Sequence, residues 1–304
     1  MMDVYVNFPA DGHVREIAKT VLDGFDLHWY PDYYDAEAQV IKDRYVLGKR
    51  TKMIQAISAG VDHIDVNRIP ENVVLCSNAG AYSISVAEHA FALLLAHAKN
   101  ILENNELMKA GIFRQSPTTL LYGKALGILG YGGIGRRVAH LAKAFGMRVI
   151  AYTRSSVDQN VDVISESPAD LFRQSDFVLI AIPLTDKTRG MVNSRLLANA
   201  RKNLTIVNVA RADVVSKPDM IGFLKERSDV WYLSDVWWNE PEITETNLRN
   251  AILSPHVAGG MSGEIMDIAI QLAFENVRNF FEGHPRNVVR KEEYRVRSER
   301  FLGI

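Results

Sequence analysis

The chain alternates short apolar runs with amphipathic segments along most of its length. The runs have the length of buried strands, and between them apolar residues return every three or four positions, as on one face of a helix. The strand-like runs are Val4 to Phe8, Leu27 to Tyr30, Met53 to Ala56, Val73 to Cys76, Arg148 to Tyr152, Phe177 to Ile182, Leu204 to Val209, Trp231 to Ser234 and Ala251 to Leu253. This alternation predicts parallel sheets covered by helices, and therefore an α/β protein.

Two long helical patterns divide the chain. One runs from Val86 to Lys109, preceded by a capping box at Ser85 and Glu88, and the other runs from Glu264 to Phe281. A single helix from Val86 to Lys109 is long enough to join two domains. We therefore expect a first domain in residues 1–82, an inserted domain in residues 83–262, and a return to the first domain in residues 263–304.

A glycine-rich turn follows the apolar run Leu126 to Leu129. Residues 130–135 have the sequence Gly-Tyr-Gly-Gly-Ile-Gly, and a helical pattern comes after them. In this context Gly130 allows a tight turn, Gly132 lets the backbone approach a pyrophosphate, and Gly135 lets the helix lie close to the strand. The segment predicts a dinucleotide site; the alternative is a glycine turn in an ordinary α/β unit.

Composition and charge limit the classes of molecule that this protein is expected to bind. The chain has 304 residues, 47% of them hydrophobic, with 35 Lys and Arg against 36 Asp and Glu. Because the charges balance, we expect a small-molecule partner and no binding to nucleic acid or membranes. The first residues lack a signal-peptide pattern, the apolar run Ala90 to Ala96 is too short to span a bilayer, and the single Cys76 suits a buried thiol. We expect a cytoplasmic protein without a metal site.

Three polar residues follow strand-like runs and supply the groups that ketone reduction needs. Arg211 can hold a carboxylate or carbonyl in bidentate fashion, His256 can donate a proton, and Glu240 can stabilise the protonated imidazole. The carboxyl ends of parallel strands are also where ligands bind. Taken singly, each residue has another interpretation: a surface cation, a loop histidine and a turn acid before a proline.

These motifs, in this order, resemble the D-isomer-specific 2-hydroxyacid dehydrogenases. The resemblance covers nearly the whole chain, on the segments Ser58 to Asp65, Asn78 to Gly80, Val86 to Glu88, Gly130 to Gly135, Pro183 to Thr185, Asn208 to Arg211, Asp235 to Val236, Glu240 to Pro241, Pro255 to His256 and Gly283 to Val288. It implies two doubly wound parallel-sheet domains, a Rossmann-type cofactor domain inserted into a smaller flavodoxin-like substrate domain. It also implies Arg211, Glu240 and His256 as the catalytic residues.

The resemblance assigns binding roles to further residues. The substrate-binding residues are Ala59, Gly60, Val61, Arg211 and His256. The cofactor-binding residues are Gly130, Tyr131, Gly132, Gly133, Ile134, Gly135, Thr153, Arg154, Ser155, Pro183, Thr188, Val209, Ala210, Asp235 and Gly259, with Asp235 on the nicotinamide carboxamide. Two positions depart from the family pattern: Ala212-Asp213 follows the arginine where glycine is usual, and Ile182 stands where many relatives have histidine.

The segment after the second strand of the cofactor domain favours NADP over NAD. An NAD enzyme usually has an acid there for the ribose hydroxyls. This chain has Thr153, Arg154, Ser155 and Ser156, and its first acid is Asp158. Arg154 can pair with a 2′-phosphate and the hydroxyls can donate to it. The alternative is a solvated loop arginine in an enzyme that is indifferent to the cofactor.

The predicted activity is reduction of a small 2-keto acid, such as glyoxylate or hydroxypyruvate, to the D-2-hydroxy acid. D-3-phosphoglycerate is a less favoured substrate, because the only cation between Ser58 and Ile64 is His63. A corepressor-like protein that senses the cofactor is the alternative from another class. The apolar surface of the helix from Val86 to Lys109 also predicts a homodimer.

Overall fold

The computed structural model describes residues 2–260 and 263–295, which form two compact units. One unit is Met1–Tyr82 with Gly260–Ile304, and the other is Ser83–Gly259. The second predicted domain boundary, at Ser262, lies outside the described residues.

Strands and helices alternate through most of the chain. The strands are β1 (Asp3–Asn7), β2 (Asp26–Trp29), β3 (Ala38–Ile41), β4 (Met53–Ala56), β5 (Val74–Cys76), β6 (Ala125–Leu129), β7 (Arg148–Tyr152), β8 (Val163–Ile164), β9 (Phe177–Ile180), β10 (Thr205–Asn208), β11 (Trp231–Ser234) and β12 (Ala251–Leu253). The helices are α1 (Gly12–Val21), α2 (Ser83–Ala98), α3 (Ile101–Lys109), α4 (Gly133–Ala144), α5 (Pro168–Gln174), α6 (Ser194–Leu197), α7 (Lys217–Glu226) and α8 (Gly263–Phe281).

The first unit is built on a parallel sheet with the order β2-β1-β3-β4-β5. This is the flavodoxin-like order. Helices α1 and α8 cover one face, where Phe274 packs against strand residues such as Val4 and Val40. The opposite face packs against the segment that includes Val61, Ile64 and Val66.

The second unit contains a seven-stranded parallel sheet with the order β12-β11-β10-β9-β6-β7-β8. From β6 the chain proceeds to β7 and β8 on one side, and then returns to place β9 on the other side of β6. Ligands of doubly wound sheets bind at the carboxyl ends of the strands where the order reverses in this way. The predicted fold class, with a Rossmann-type and a flavodoxin-like sheet, is confirmed.

Alternate residues of the central strands face opposite layers of helices. Val178 and Ile180 belong to the core formed with α5, α6 and α7. Leu179, between them, lies beside a small cavity that is also lined by Phe91 of α2 and Val138 of α4. Because side chains alternate along a strand, this arrangement buries both faces of the sheet.

The structure corrects the predicted helix from Val86 to Lys109. Helix α2 begins earlier, at Ser83, and the Ser85 hydroxyl donates to Ala258 O at 2.7 Å, so Ser85 is not the helix cap. Asn100 interrupts the helix with a left-handed backbone, φ 51°, and its side chain donates to Pro117 O. Two helices, α2 and α3, therefore replace the predicted single helix.

Within the described residues, no helix is both long enough and apolar enough to span a membrane. The same part of the chain holds no group of three His, Cys, Asp or Glu side chains that could bind a metal ion.

Candidate active site

The glycine turn connects β6 to α4 at the reversal point of the second sheet. Gly130 has a φ of 103°, and a Cβ atom there would lie 2.8 Å from the Ala181 carbonyl. A Cβ on Gly135 would collide with Gly130 O, so only glycine lets the helix lie this close to the turn. Both glycines are therefore required by the contacts within the protein.

Gly132 differs from these two glycines, because a Cβ added to it would meet no protein atom within 4 Å. Gly132 is also the N-cap of α4, and the first amides of a helix have no acceptor within the helix. Open space beside these amides fits the phosphates of a dinucleotide. The turn, with Gly133 and Ile134 in its first helical residues, thus has the geometry of the predicted cofactor site.

Asp158 is the first acid after β7, and its carboxylate is held by other residues of the unit. It accepts hydrogen bonds from the Tyr131 hydroxyl at 2.6 Å, the Arg136 guanidinium at 3.2 Å and the Asn160 amide at 3.0 Å. The Tyr131 hydroxyl is the main cause that lowers the pKa of Asp158. Tyr131 is only 1% exposed, and burial raises its own pKa.

The predicted phosphate-binding loop lies between β7 and Asp158. The Thr153 hydroxyl accepts from the Ser155 amide at 3.0 Å, and Arg154 and Ser155 are exposed. Arg136 also donates to Ser156 O, which ties the loop to helix α4. The sequence did not identify Arg136 as a residue of this loop, because its partners lie 20 and 22 positions away.

In the loop after β9, a side chain forms hydrogen bonds with the backbone of the same loop. The Thr188 hydroxyl donates to Pro183 O at 2.6 Å and accepts from the Thr185 amide at 2.8 Å. Ile182 packs against the core and lies beside Gly130, where a Cβ would be 2.6 Å from its methyl group. Thr188 is thus placed to support Pro183, and its predicted contact with the cofactor stays a prediction.

Buried Asn208 organises the backbone that carries Arg211. Its side chain accepts from the Ala210 amide at 3.0 Å and donates to Arg211 O at 3.2 Å and to the Tyr232 hydroxyl at 2.9 Å. Arg211 is half-buried and donates to Ala210 O at 2.9 Å. Asn208 was not among the predicted site residues, although a polar residue at the end of an apolar run could have indicated it.

Glu240 and His256 form a hydrogen-bonded pair. His256 Nδ1 donates to Glu240 Oε2 at 2.9 Å, while Glu240 Oε1 accepts from the Trp237 amide. The imidazole side chain is 38% exposed and the carboxylate 21%. Glu240 therefore fixes one ring nitrogen and leaves Nε2 as the nitrogen that can exchange a proton with a ligand.

The three candidate catalytic residues follow three adjacent strands. Asn208 of β10 lies opposite Ser234 of β11, and Ser234 lies opposite Leu253 of β12. Arg211, Glu240 and His256 come shortly after these residues in the chain. The sheet therefore brings all three to one carboxyl edge, as the sequence predicted.

Asp235 is buried beneath the His256 loop. Its carboxylate, 2% exposed, accepts from the Val257 amide at 3.0 Å, the Ala258 amide at 2.9 Å and the Ser254 hydroxyl at 2.6 Å. A hydrogen bond to the nicotinamide carboxamide remains a prediction for Asp235. The loop continues to Gly259, the last residue of the unit.

The predicted substrate loop of the first unit follows β4. The Ser58 hydroxyl donates to Gly60 O at 2.8 Å, while Asn78 and the Tyr82 hydroxyl both donate to Ile57 O. Ala59 is exposed, whereas Val61 and His63 are buried. The loop is thus fixed by neighbouring side chains, and no cationic side chain is exposed between Ser58 and Ile64.

Comparisons with known proteins agree with this geometry. A family model described as D-isomer specific 2-hydroxyacid dehydrogenase, NAD binding domain, matches residues 91–258. The glyoxylate reductase of Thermococcus kodakarensis is 32% identical over 268 residues, which cover 83% of this chain and 80% of that protein. The D-3-phosphoglycerate dehydrogenase of Methanocaldococcus jannaschii is 34% identical over 265 residues, 83% of this chain and 50% of that protein.

A solved structure is also similar over most of the chain. It is the crystal structure of a glycerate dehydrogenase related protein from Thermoplasma acidophilum, 99% identical, with a TM-score of 0.72, covering 92% of this chain and 100% of that one. Together with the family model and the curated relatives, it identifies this chain as a 2-hydroxyacid dehydrogenase with an NAD-binding domain. The chain belongs to the D-isomer specific 2-hydroxyacid dehydrogenase family.

Proposed function

We propose that this protein reduces a small, unphosphorylated 2-keto acid to the D-2-hydroxy acid, with NADPH preferred over NADH. The observation that carries the proposal is the 2.9 Å bond between His256 Nδ1 and Glu240 Oε2 at the carboxyl edge of the cofactor sheet. We expect glyoxylate or hydroxypyruvate as the substrate, because similar proteins are described as a glyoxylate reductase and a glycerate dehydrogenase related protein.

A bound nicotinamide cofactor supplies the hydride for this reaction. The residues that would hold it are those of the Gly130 to Gly135 turn and of the loops after β7 and β9. Arg211 binds the substrate carboxylate or carbonyl, because its guanidinium can donate two parallel hydrogen bonds. His256 donates the proton from Nε2 during reduction and accepts it there during oxidation.

Glu240 has two tasks in this mechanism. Its Oε1 is held by the Trp237 amide, so the carboxylate has a defined position. Its Oε2 accepts from His256 Nδ1 and stabilises the protonated imidazole by its negative charge. Reduction consumes the proton that the imidazole carries, and Glu240 holds the ring in the orientation that leaves Nε2 for this transfer.

The preference for an unphosphorylated substrate follows from the loop after β4. Ala59 is exposed there, and His63, the one cation between Ser58 and Ile64, is buried. Backbone amides such as those of Gly60 and Val61 suit a carboxylate, whereas a phosphate is bound best by exposed arginine or lysine. This loop therefore favours glyoxylate or hydroxypyruvate over a phosphoglycerate.

The preference for NADPH rests on the state of Asp158. An acid in this loop selects NAD when its carboxylate is available to the ribose hydroxyls. The Asp158 carboxylate instead accepts from Tyr131 and from the guanidinium of Arg136. Arg136 neutralises the charge that would repel a 2′-phosphate, while Arg154 is exposed on the same loop to bind it.

A steady-state assay with a panel of 2-keto acids and both cofactors tests the proposal. We expect turnover of glyoxylate or hydroxypyruvate, a lower KM for NADPH than for NADH, and little turnover of 3-phosphohydroxypyruvate. Cofactor binding without turnover of any 2-keto acid would instead favour the corepressor-like alternative. A clear preference for NADH would contradict the cofactor assignment and leave the hydride-transfer assignment in place.

We also propose that a second copy of the chain covers the apolar surface around α3. Most apolar residues of α2 are buried within the second unit, but Ile101 and Leu102 of α3 are exposed. Phe113, Leu120 and Tyr122 in the following segment are exposed as well, Phe113 by 80%. Large apolar side chains grouped in this way are typical of an interface between subunits.

Light scattering tests the homodimer. Wild type should have twice the mass of the chain, and Phe113→Glu with Leu120→Glu should convert it to a monomer. The matched control is Ile164→Glu, an exposed apolar residue on β8, which should remain a dimer. A monomeric wild type would rule out this interface.

A further inference from the structure

The backbone of His256 has an unusual conformation that one residue holds in place. His256 has a φ of 54°, in the left-handed region that non-glycine residues rarely adopt. Its amide donates to the Asp235 carbonyl at 2.8 Å. The next two amides, of Val257 and Ala258, donate to the two carboxylate oxygens of Asp235. The three consecutive backbone amides of residues 256–258 thus donate hydrogen bonds to Asp235.

Asp235 is in turn held by two side chains from different parts of the chain. The Ser254 hydroxyl donates to Asp235 Oδ1 at 2.6 Å. His89 Nε2, from helix α2, lies 2.8 Å from the Ser254 hydroxyl oxygen and 3.3 Å from Asp235 Oδ1. A serine hydroxyl has one hydrogen, and here the carboxylate accepts it. His89 Nε2 therefore carries a hydrogen and donates towards Ser254 and Asp235.

We propose that His89 is a positioning residue for the proton donor His256. It acts through Ser254 and Asp235, which keep the amides of residues 256–258 in the conformation that directs the imidazole. The inference rests on the proposed role of His256 as general acid and base. His89 touches neither Glu240 nor the His256 ring in the contacts described above, so its effect passes through the loop backbone.

A conformation of this kind persists only when its surroundings over-determine it. Without the His89 donor, the Ser254 hydroxyl and the Asp235 carboxylate lose a fixed partner, and the acceptors of three amides become less ordered. Displacement of a catalytic group by about 1 Å costs roughly 100-fold in rate. The expected consequence is lower turnover at saturating substrate and cofactor.

The test compares His89→Phe, which removes the donor, with His89→Gln, whose amide can donate from a similar position. We expect kcat to fall roughly 10- to 100-fold in His89→Phe and to recover largely in His89→Gln. The solvent isotope effect on kcat should rise in His89→Phe, because proton donation becomes more rate-limiting. His140→Phe, at an exposed histidine of α4, is the matched control and should behave as wild type.

Hydrogen–deuterium exchange of peptides covering residues 254–260 provides a measurement that needs no substrate. Exchange should be faster in His89→Phe than in wild type, and Ser254→Ala should have the same effect if His89→Phe does not fold. Unchanged exchange, or a kcat equal to that of the control, would overturn the positioning role. A wild type that reduces no 2-keto acid would refute the proposed function, while the exchange result would still decide whether His89 orders the loop.

Discussion

The carboxyl edge of the seven-stranded sheet has two halves, and each contains an acid that accepts several hydrogen bonds. In the half formed by β6 and β7, Asp158 is bound by Tyr131, Arg136 and an amide. In the half formed by β10, β11 and β12, Asp235 is bound by Ser254 and two amides. Asp158 faces a guanidinium, whereas Asp235 faces two amides, one hydroxyl and the His89 imidazole.

This difference shows how one residue type serves two tasks. The guanidinium of Arg136 faces the charge of Asp158, which in the proposed function leaves the loop after β7 suited to the 2′-phosphate of NADPH. The buried charge of Asp235 instead orders the backbone around His256. The comparison predicts that substitutions in the β6–β7 half change cofactor choice, whereas those in the β10–β12 half change chemistry.

The largest effect is expected for Arg211→Lys, in the catalytic half. An ammonium cannot replace the two parallel donors of a guanidinium. We expect kcat/KM for the 2-keto acid to fall roughly 100- to 1,000-fold, while the dissociation constant for the cofactor stays near the wild-type value. Steady-state kinetics and fluorescence titration measure the two quantities. Arg195→Lys, at an exposed arginine of α6, is the control. An equal loss of kcat/KM in the control, or no loss in Arg211→Lys, would contradict a role for Arg211 in the site.

Glu240→Gln should slow the reaction in the same half. The carboxylate accepts from His256 Nδ1 and faces the positive charge of the ring that donates the proton, and a neutral amide does not supply that charge. We expect the reductive kcat to be roughly tenfold lower at neutral pH. A kcat equal to that of wild type in steady-state assays would refute the pairing.

Arg154→Ala tests the cofactor half. Loss of the cation should raise the KM for NADPH roughly tenfold and leave the KM for NADH and the kcat unchanged. Adding Thr153→Asp should improve the use of NADH, because a carboxylate can accept from the ribose hydroxyls. Arg195→Ala, at an exposed arginine of α6, serves as the control. A lower kcat with both cofactors would mean that a substitution in the β6–β7 half also changes the chemistry, which would contradict the division into two halves.

The smallest effect is expected for Tyr131→Phe, which frees Asp158 from its main hydrogen bond. The KM for NADPH should rise a few-fold, and the free energy of unfolding should fall by about 1 kcal/mol at neutral pH. The pKa of Asp158 is lowered in the folded protein, so its contribution to stability is present above the ordinary value of 3.8 and lost as the pH falls further. Urea unfolding should show the difference from wild type shrinking below that pH. Tyr30→Phe, at an exposed tyrosine of the first unit, should show neither change.

Local patterns predicted most strands, and the exceptions have physical causes. Strand β3 was missed because it is short and contains a glutamine in the middle. Gln39 is fully buried there, since its amide donates to the Thr51 hydroxyl at 3.1 Å. Strand β8 has only two residues. The break at Asn100 was also missed, because the apolar pattern continues across the residue whose side chain caps a distant carbonyl.

The predicted Cys76 thiol is an example in which local sequence was sufficient. Its position at the end of an apolar run predicted burial, and in the structure the thiol is free and fully buried. Burial raises its pKa to about 11, which keeps it protonated at neutral pH. The burial of this thiol could be predicted from a single strand, β5.

The sequence by itself determined the fold class, the glycine turn and the polar residues that end adjacent strands, because periodicity and turn chemistry are local properties of the chain. It could not determine which acid has which role, since the roles of Asp158 and Asp235 depend on their burial and on their hydrogen-bond partners. Those partners are distant in sequence: His89 and Ser254 are 165 positions apart. Such pairs meet only when helix α2 packs onto the sheet, so the tertiary structure decides how the catalytic loop is held.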